Sequence, residues 1–400
     1  MSANSANLTN CRILVAFAVG AFVIGSAVAQ ESCYYTWERI RLPDLYCVGW
    51  DINNNGHVAG EIVTGGDTTR AFWWTPEMGV DILPLPPGII SMSAYAINDL
   101  GQMAGTMSDG AEWFGFVWSA ETGYTVIDFP HPSTNVYITD INDNGEVVGS
   151  VFRRVIPGPW HWDPFVWHNG DFTFFGELTE PYPAFLRGVN ELGDVVGYAN
   201  IESNVPRAFI IRNRLEFNWL SSPLDFIWTR AEAINNYGLI VGDGRDAVLR
   251  TNVAVAWTPW GIDSVPPPSD SQSAYFTAVN DRGHAVGRFT GAFDRPFYWA
   301  VGTAIDLLPL LTPTPAAISG AEAINDLGQV VVAGGNGSLL LEAQWLEGDL
   351  TGDCHISLED LAFVLADFGS ESGFAQLGDV NLDGEVDLVD LALVLSRFGE

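Results

Sequence analysis

The chain has 400 residues and a formal net charge of −32 at pH 7, from 17 basic and 49 acidic side chains. This charge excludes nucleic-acid binding, because phosphate recognition needs a basic surface. Every basic residue is an arginine, which excludes Schiff-base and P-loop lysine chemistry, while a hydrophobic content of 48% predicts a folded chain with a large core.

The first segment, residues 1–29, has the features of a secretory signal peptide. One positive charge, Arg12, precedes an apolar run from Ile13 to Ile24, and Ala27-Val28-Ala29 forms a small-x-small cleavage pattern. A membrane anchor is the alternative, but the run is shorter than the ~20 residues that a span requires. We therefore expect a mature chain that begins near Gln30, has no membrane span, and is secreted or held at the surface of a bacterium.

Three cysteines follow the predicted signal peptide. Cys33 and Cys47 are close enough in sequence to form a disulfide in an oxidising compartment, which would leave Cys354 unpaired. The sequence leaves open whether this bridge forms.

The motif Ile/Val-Asn-x-x-Gly-x-x-x-Gly recurs through most of the mature chain. An Asn followed three residues later by Gly is typical of a type I turn, in which the Asn side chain bonds its own backbone. We interpret the Asn-Asp pairs as turn residues rather than as a ring of catalytic or metal-binding carboxylates. The motif asparagines, spaced 44 to 48 residues apart, are Asn53, Asn98, Asn142, Asn190, Asn235, Asn280 and Asn325.

Short β-rich runs surround each turn. In the second unit they are Ser93 to Ile97, Gln102 to Thr106, Phe114 to Trp118 and Tyr124 to Phe129. Four strands in a unit of this length are typical of one propeller blade, and the aromatic residues of the third run would fill the wedge between blades.

The seventh unit lacks a fourth strand, whereas the N-terminal residues Tyr35 to Pro43 resemble one. Pairing that segment into the last blade would close the ring and remove its exposed sheet edges. We therefore predict a mainly β fold in which residues 30–347 form a seven-bladed β-propeller closed by an N-terminal strand. An open β-solenoid is the alternative.

The repeated turn, followed by an x-Ala-Phe-x-Trp strand, resembles the HAF family of extracellular repeats. The resemblance covers residues 35 to 346, and its nearest match to the namesake strand is Arg70-Ala71-Phe72-Trp73-Trp74, with Arg in place of the family's His. The seventh unit departs from the pattern, since Val332 stands where the second glycine is expected. The resemblance implies an exported β-propeller and carries no established activity.

The last segment, residues 348–400, contains twelve acidic residues and one basic residue, Arg397. Two copies of one pattern place oxygen-bearing side chains at the ligand positions of an EF-hand calcium loop. Since the first copy has Cys354 where Gly is expected and Thr351 where a stronger ligand usually stands, we expect two Ca²⁺ sites, the weaker at Asp349. The candidate metal ligands are Asp349, Thr351, Asp353, His355 and Asp360 in the first loop, and Asp379, Asn381, Asp383, Glu385 and Asp390 in the second.

Each loop precedes one helix with apolar residues at helical spacing, and the entering helices of a full EF-hand pair are missing. This duplicated loop and helix resembles a type I dockerin module over residues 348–400. The resemblance implies a small α-helical module that folds around two calcium ions and docks onto a cohesin, often tethering polysaccharide-degrading enzymes. Leu358-Glu359 and Leu388-Val389 stand at the positions that select the cohesin, without the hydroxyl pair of cellulosomal dockerins. A calcium-stiffened stalk that has no partner is the alternative.

Aromatic residues are the other candidate ligand contacts. Trp160, His161 and Trp162 belong to an insertion in the third unit that we predict to be a loop, and Trp113 follows Glu112 in the second unit. Aromatic faces on loops can stack on sugar rings, whereas the alternative is hydrophobic cover for a blade edge.

Two functions remain open. One is a secreted, non-catalytic binding or structural propeller attached through its calcium module to a cohesin or a surface assembly. The other is a polysaccharide-active glycoside hydrolase or lyase, with two carboxylates in the axial mouth of the propeller. The mature chain has no HExxH, CxxC, Walker A or GxSxG motif and no histidine cluster, so we predict no catalytic residue.

Overall fold

The structure is a computed structural model that describes residues 35–40, 46–65, 68–129, 133–154, 160–176, 183–202, 205–258, 261–300, 302–311, 318–335, 337–343, 348–350, 355–369, 378–380 and 385–399. The predicted signal peptide, Cys33, Cys354 and the candidate ligands Thr351, Asp353, Asn381 and Asp383 lie outside these residues. Cys47 is buried within the second strand.

The described strands form seven four-stranded antiparallel sheets, of which six are built from consecutive strands and the seventh joins the last three strands to the N-terminal strand. The predicted seven-bladed β-propeller is therefore confirmed. Blade 1 contains β2 (Tyr46–Ile52), β3 (Val58–Gly65), β4 (Thr68–Thr75) and β5 (Gly79–Ile82). Blade 2 contains β6 (Ser91–Ile97), β7 (Met103–Ser108), β8 (Trp113–Ser119) and β9 (Gly123–Ile127). Blade 3 contains β10 (Ser133–Ile141), β11 (Val147–Arg154), β12 (Trp160–His168) and β13 (Asp171–Phe174).

The remaining blades repeat this order, with a short 3₁₀ helix, Leu308–Leu310, after blade 6. Blade 4 contains β14 (Ala184–Val189), β15 (Val195–Glu202), β16 (Val205–Arg212) and β17 (Glu216–Trp219). Blade 5 contains β18 (Phe226–Ile234), β19 (Ile240–Asp246), β20 (Asn252–Thr258) and β21 (Gly261–Val265). Blade 6 contains β22 (Ser271–Val279), β23 (Ala285–Gly291), β24 (Arg295–Ala300) and β25 (Thr303–Asp306). Blade 7 contains β26 (Ile318–Ile324), β27 (Val330–Gly334), β28 (Ser338–Ala343) and the N-terminal strand β1 (Tyr35–Ile40).

The ring closes as the sequence predicts. Strand β1 pairs antiparallel with β28, from Tyr35 opposite Ala343 to Ile40 opposite Ser338. The N-terminal strand thus supplies the outer strand that the seventh unit lacks. This pairing covers an edge that would otherwise expose a row of unpaired backbone groups.

The hydrophobic core lies between the blades. The phenylalanine of the third strand is fully buried in five blades, and clusters of buried side chains combine residues of neighbouring blades. Each such burial stabilises the fold by about 1.5–3 kcal/mol. These phenylalanines are Phe72, Phe116, Phe165, Phe209 and Phe297.

The second glycine of the motif is required by a close backbone contact. A Cβ on Gly105 would lie 2.0 Å from the carbonyl oxygen of Ser93, and the equivalent contact recurs in the first six blades. In blade 7, Val332 takes this place opposite Ala321.

The C-terminal residues belong to a second compact unit. It contains two α-helices, α1 (Leu358–Asp367) and α2 (Leu388–Ser396). No helix in the described part of the chain is both long and apolar enough to cross a membrane.

Candidate ligand site in the propeller channel and the C-terminal unit

The Asn-x-x-Gly turn joins the inner strand of each blade to its second strand. In every turn the glycine has a φ between 73° and 81°, which a glycine adopts without strain. The Asn side chain accepts backbone hydrogen bonds within its own turn, such as that from the Glu146 N–H to Asn142 Oδ1 at 2.9 Å. The predicted capping role is therefore confirmed.

The same asparagines also bind the blades to one another. Each Asn Nδ2 donates to the backbone carbonyl of the Asn in the next blade, at 2.9 to 3.1 Å, and Asn325 completes the circle by donating to Asn53. Because all seven are buried, these bonds are shielded from water. The turns therefore form a closed hydrogen-bonded ring around the channel axis.

A second ring uses the residue that follows each asparagine. Its side-chain oxygen accepts the backbone N–H of the equivalent residue in the preceding blade, at 2.7 to 2.9 Å. Our interpretation of the Asn-Asp pairs as turn residues alone was thus incomplete. The members of this ring are Asn54, Asp99, Asp143, Glu191, Asn236, Asp281 and Asp326.

The two rings line an opening of about 200 Å³ at this end of the channel, which we call the turn end. Burial, opposed by backbone hydrogen bonds and reinforced by neighbouring carboxylates, raises the pKa of Asp143, Glu191 and Asp281. Within the described part of the chain, no three His, Cys, Asp or Glu side chains are grouped so that they could hold a metal ion. The oxygens at the turn end instead accept hydrogen bonds that hold neighbouring blades together.

At the opposite end, which we call the loop end, the second strand of each blade leads into the third. Between the two ends, the inner strands carry five different residue types at one equivalent position. Three residues before each motif asparagine stand Trp50, Tyr95, Thr139, Arg187, Glu232, Thr277 and Glu322. Ligand sites commonly combine a shared scaffold with such variable side chains.

Four aromatic rings form a continuous arc across blades 3 and 4, which we call the aromatic arc. Tyr137 stacks on Trp162 with ring centroids 5.1 Å apart. Trp162 lies 5.6 Å from Phe185, which lies 5.4 Å from Tyr198. Tyr137 is 55% exposed, so the arc opens to solvent at its blade-3 end.

The predicted aromatic contacts are only partly brought together. Residues Trp160 to His168 form strand β12, paired with β11, so the prediction of a loop at Trp160, His161 and Trp162 was wrong. Trp160 stacks on Phe152 at 5.6 Å and is 40% exposed, and Phe152 also contacts Trp162. His161 Nε2 lies 3.7 Å from Asp163 Oδ2.

Trp113 begins strand β8 in blade 2 and is 38% exposed. Within the described residues it makes no ring contact with the arc. Phe185 and Tyr198 were not predicted as ligand contacts, although both lie on strands that adjoin the repeated turn.

Charged groups continue the arc into blade 5. The Arg230 guanidinium lies 5.0 Å from the Tyr198 ring and 4.8 Å from the Trp228 ring. Arg187 forms an ion pair with Glu232 at 2.6 Å, which raises the pKa of Arg187. Asp243 is 3% exposed, and burial, followed by the charge of Glu232, raises its pKa to about 7.

The C-terminal unit has the internal symmetry that two copies of one loop and helix would produce. The Gly369 N–H donates to the Val386 carbonyl, and the Gly399 N–H donates to the Ile356 carbonyl, both at 2.9 Å. Ser357 and Asp387 cap the two helices. The core consists of the equivalent pairs Ile356 and Val386, and Val364 and Val394.

The residues at the twelfth loop position fit a calcium ion. Asp360 and Asp390 are both fully buried, and each carboxylate accepts two backbone N–H bonds at 2.8 to 2.9 Å. A buried carboxylate needs a compensating positive charge, and hard oxygen ligands suit Ca²⁺. The described positions Asp349, His355, Asp379 and Glu385 flank these residues in the two loops.

Some apolar residues at helical spacing face solvent, whereas Leu361 and Leu391 pack against the core of this unit. Leu358 and Leu388 are 70% and 69% exposed, and Phe368 and Phe398 are 44% and 46% exposed. The two helices therefore present equivalent exposed apolar stripes.

No protein-family model and no curated protein sequence matches this chain. Among solved structures, virginiamycin B lyase from Staphylococcus aureus is similar at 12% identity and a TM-score of 0.50, over 78% of this chain and 99% of that one. A streptogramin B lyase is similar at 16% identity and a TM-score of 0.50, over 78% and 98%. At these identities the likeness shows the propeller fold alone.

Proposed function

We propose that this protein is an exported, non-catalytic binding propeller that holds a polysaccharide on the aromatic arc. In this proposal a dockerin-like module, folded around two calcium ions, attaches it to a cohesin-bearing scaffold or another surface assembly. The HAF-like repeats and the signal-peptide pattern support export.

The observation that carries the binding proposal is the arc itself. Aromatic faces carry partial negative charge, and the C–H groups of a sugar ring carry partial positive charge, so the two attract when stacked. A continuous series of rings beside polar groups suits an extended carbohydrate better than a small compact ligand. Its partly exposed end at Tyr137 gives such a chain access.

Affinity electrophoresis of the full chain through gels containing soluble neutral and acidic polysaccharides tests this proposal. Trp162→Ala removes the central ring and should weaken retardation about tenfold. Phe293→Ala is the matched control, since Phe293 is 83% exposed and lies outside the arc. Equal retardation of Trp162→Ala and the unmodified protein would contradict polysaccharide binding on the arc.

The buried Asp360 and Asp390 support the calcium proposal. Calorimetric titration of the full chain with Ca²⁺ should show two sites, and chelation should expose residues 348–400 to proteolysis. Asp390→Ala should remove one site, whereas Glu359→Gln, an exposed change within α1, should retain both. Undiminished protease resistance in chelator would oppose a calcium-dependent fold.

The exposed stripes on α1 and α2 support partner binding rather than a stalk. Contiguous exposed apolar patches mark interaction surfaces. A pull-down by the full chain should recover the same cohesin-type partner in calcium but not in chelator, and Leu358→Asp with Leu388→Asp should abolish it. Calcium binding without any partner would favour the stalk.

Asp243 supports an alternative, enzymatic function. A carboxyl group with a pKa of about 7 is suited to general acid or base catalysis, and Glu232 is electrostatically coupled to it. Glu232 is, however, engaged by Arg187. Release of shortened or unsaturated oligosaccharides, lost in Asp243→Asn, would establish a hydrolase or lyase in place of a binding protein.

A further inference from the structure

Arg230 occupies an unusual electrostatic position at the blade-5 end of the aromatic arc. Its guanidinium contacts the rings of Tyr198 and Trp228, which hold it in a defined orientation. Asp243 is its partner in the β18–β19 ladder, yet Arg230 forms no ion pair within the described part of the chain. An arginine held between aromatic rings without a salt bridge is available to an anionic ligand.

Hydrogen bonding around Arg230 is also incomplete. Arg230 Nε and Asp243 Oδ2 are buried and have no hydrogen-bond partner among the described atoms. Buried polar groups in folded proteins are almost always paired, and unpaired ones call for an explanation such as a missing ligand or water. Here the donor and the acceptor lie on adjacent strands beside the arc.

The distribution of charge across the chain singles out the same blades. Residues 183–306, which span blades 4 to 6, contain ten arginines and thirteen acidic residues, a net charge of −3. The whole chain carries −32, so the remainder carries −29. A polyanionic ligand would be repelled by most of this protein and least by these blades.

The neighbours of Asp243 define how this site responds to pH. The charged and titratable groups that affect it are Glu232 and Arg230 on β18, Arg187 on β14 and Arg288 on β23, while Tyr198 on β15 is coupled to it in turn. Because burial keeps Asp243 partly protonated near pH 7, it compensates the charge of Arg230 only in part. Arg187 is 42% exposed despite its bond to Glu232, so a second guanidinium faces solvent nearby.

We propose that Arg230, with Arg187 beside it, binds the carboxylate of an acidic sugar, so that the ligand of the arc is a uronic-acid-containing polysaccharide. This inference rests on the proposed function and names its ligand class. The guanidinium matches a carboxylate with two parallel N–H donors, while the aromatic rings take the faces of the sugars. An acidic peptide could pair with the charge of Arg230, but it would not provide sugar rings to stack on the aromatic arc.

Calorimetry on the full chain can test the ligand class directly. The probes are tetragalacturonate, cellotetraose as a neutral oligosaccharide of equal length, and poly-glutamate as an acidic peptide. Tetragalacturonate should bind about tenfold more tightly than cellotetraose. Its affinity should be higher near pH 6 than near pH 8, because ionised Asp243 repels a second carboxylate.

Arg230→Gln should reduce tetragalacturonate affinity about tenfold and leave cellotetraose affinity unchanged. Arg207→Gln is the matched control, since Arg207 also lies over a tryptophan, 5.3 Å from the Trp219 ring, but outside the arc. Arg230→Lys keeps the charge and loses the planar fork, so an intermediate loss should remain measurable if Arg230→Gln fails to fold.

The outcomes separate this inference from the proposed function. If Trp162→Ala weakens sugar binding while Arg230→Gln leaves tetragalacturonate affinity unchanged, the arc binds sugar and the uronate site is wrong. Equal or tighter binding of cellotetraose, or no binding of tetragalacturonate, would likewise overturn the uronate site. Preferential binding of poly-glutamate would show a peptide site instead. If Trp162→Ala has no effect on any sugar, the proposed function itself fails.

Discussion

The two ends of the propeller channel are built from the same seven repeats but use them in opposite ways. At the turn end every blade contributes the same asparagine and an oxygen-bearing neighbour, and fourteen hydrogen bonds close two rings. Along the inner strands, by contrast, the side chain three residues before each asparagine varies, with five residue types among the seven blades. Positions that repeat are needed to close the ring, whereas positions that differ are available to recognise a ligand.

The largest effect should come from Gly197→Ala, which disrupts the strand pairing inside blade 4. A Cβ at Gly197 would lie 2.0 Å from the Phe185 carbonyl oxygen, so the β14–β15 ladder would have to move. We expect a loss of about 3 kcal/mol in the free energy of unfolding, measured by urea denaturation. Gly123→Asn is the control, because Gly123 has open space around it and Asn tolerates its positive φ. A similar loss in both variants would oppose the steric explanation.

A somewhat smaller loss is expected for Asn142→Ala at the turn end. This change removes the bond to the Asn190 carbonyl and leaves the Glu146 N–H without its acceptor. Stability should fall by about 2–3 kcal/mol, and sugar affinity should be unchanged in the folded fraction. Asn55→Ala, which removes an exposed bond to the Asp99 carbonyl, should cost less than about 1 kcal/mol. If the two variants are equally stable, the ring adds little to the fold.

Asp243 gives the loop end a dependence on pH. Its pKa is about 7 in the folded chain against an ordinary 3.8, so the unfolded chain loses this proton first as the pH rises. The stability that protonated Asp243 gives the folded chain is complete below pH 3.8 and is lost as the pH rises through 7. Asp243→Asn should therefore lose less stability than the unmodified protein between about pH 5 and pH 8, by on the order of 2 kcal/mol.

Asp51 and Asp140, whose pKa values burial raises to about 6 and about 8, act in the same direction. The relevant measurement is therefore the difference in the free energy of unfolding between the unmodified protein and Asp243→Asn at each pH. Superimposable pH profiles would show that Asp243 is ionised in the folded chain.

The smallest effect should come from Trp113→Ala, which tests whether the ligand site on the aromatic arc extends into blade 2. Trp113 is exposed in blade 2 and does not join the aromatic arc among the described residues. Its removal should change polysaccharide affinity by less than about twofold, because energetically important contacts cluster at the centre of an interface. A tenfold loss in affinity electrophoresis would extend the site to blade 2.

Much of the propeller could be predicted because its repeats are local. The seven Asn-x-x-Gly turns fix the number of blades, and the missing strand of the seventh unit identifies β1 as the strand that closes the ring. The second hydrogen-bonded ring was also accessible in principle, since every residue after a motif asparagine carries a side-chain oxygen. It was not predicted because the turn motif accounts for these residues within a single repeat, whereas the hydrogen bonds of this ring join residues of neighbouring blades.

The candidate site was less predictable. Trp162 stood out as an extra aromatic residue, but its placement on a strand depends on the pairing of β11 and β12, which no local pattern indicates. Phe185, Tyr198 and Arg230 looked like ordinary strand residues, because only the circular arrangement of blades brings them together.

By itself the sequence determined the turn chemistry, the number of blades and the duplicated loop and helix at the C-terminus. These depend on backbone preferences and on spacings within a few residues, which repeat visibly along the chain. Only the tertiary structure decided which side chains meet across blades, why Arg230 lies between rings without an ion pair, and that the apolar stripes of α1 and α2 face outward. Such contacts join residues tens of positions apart, so burial and charge there are set by the closure of the ring and the pairing of the helices.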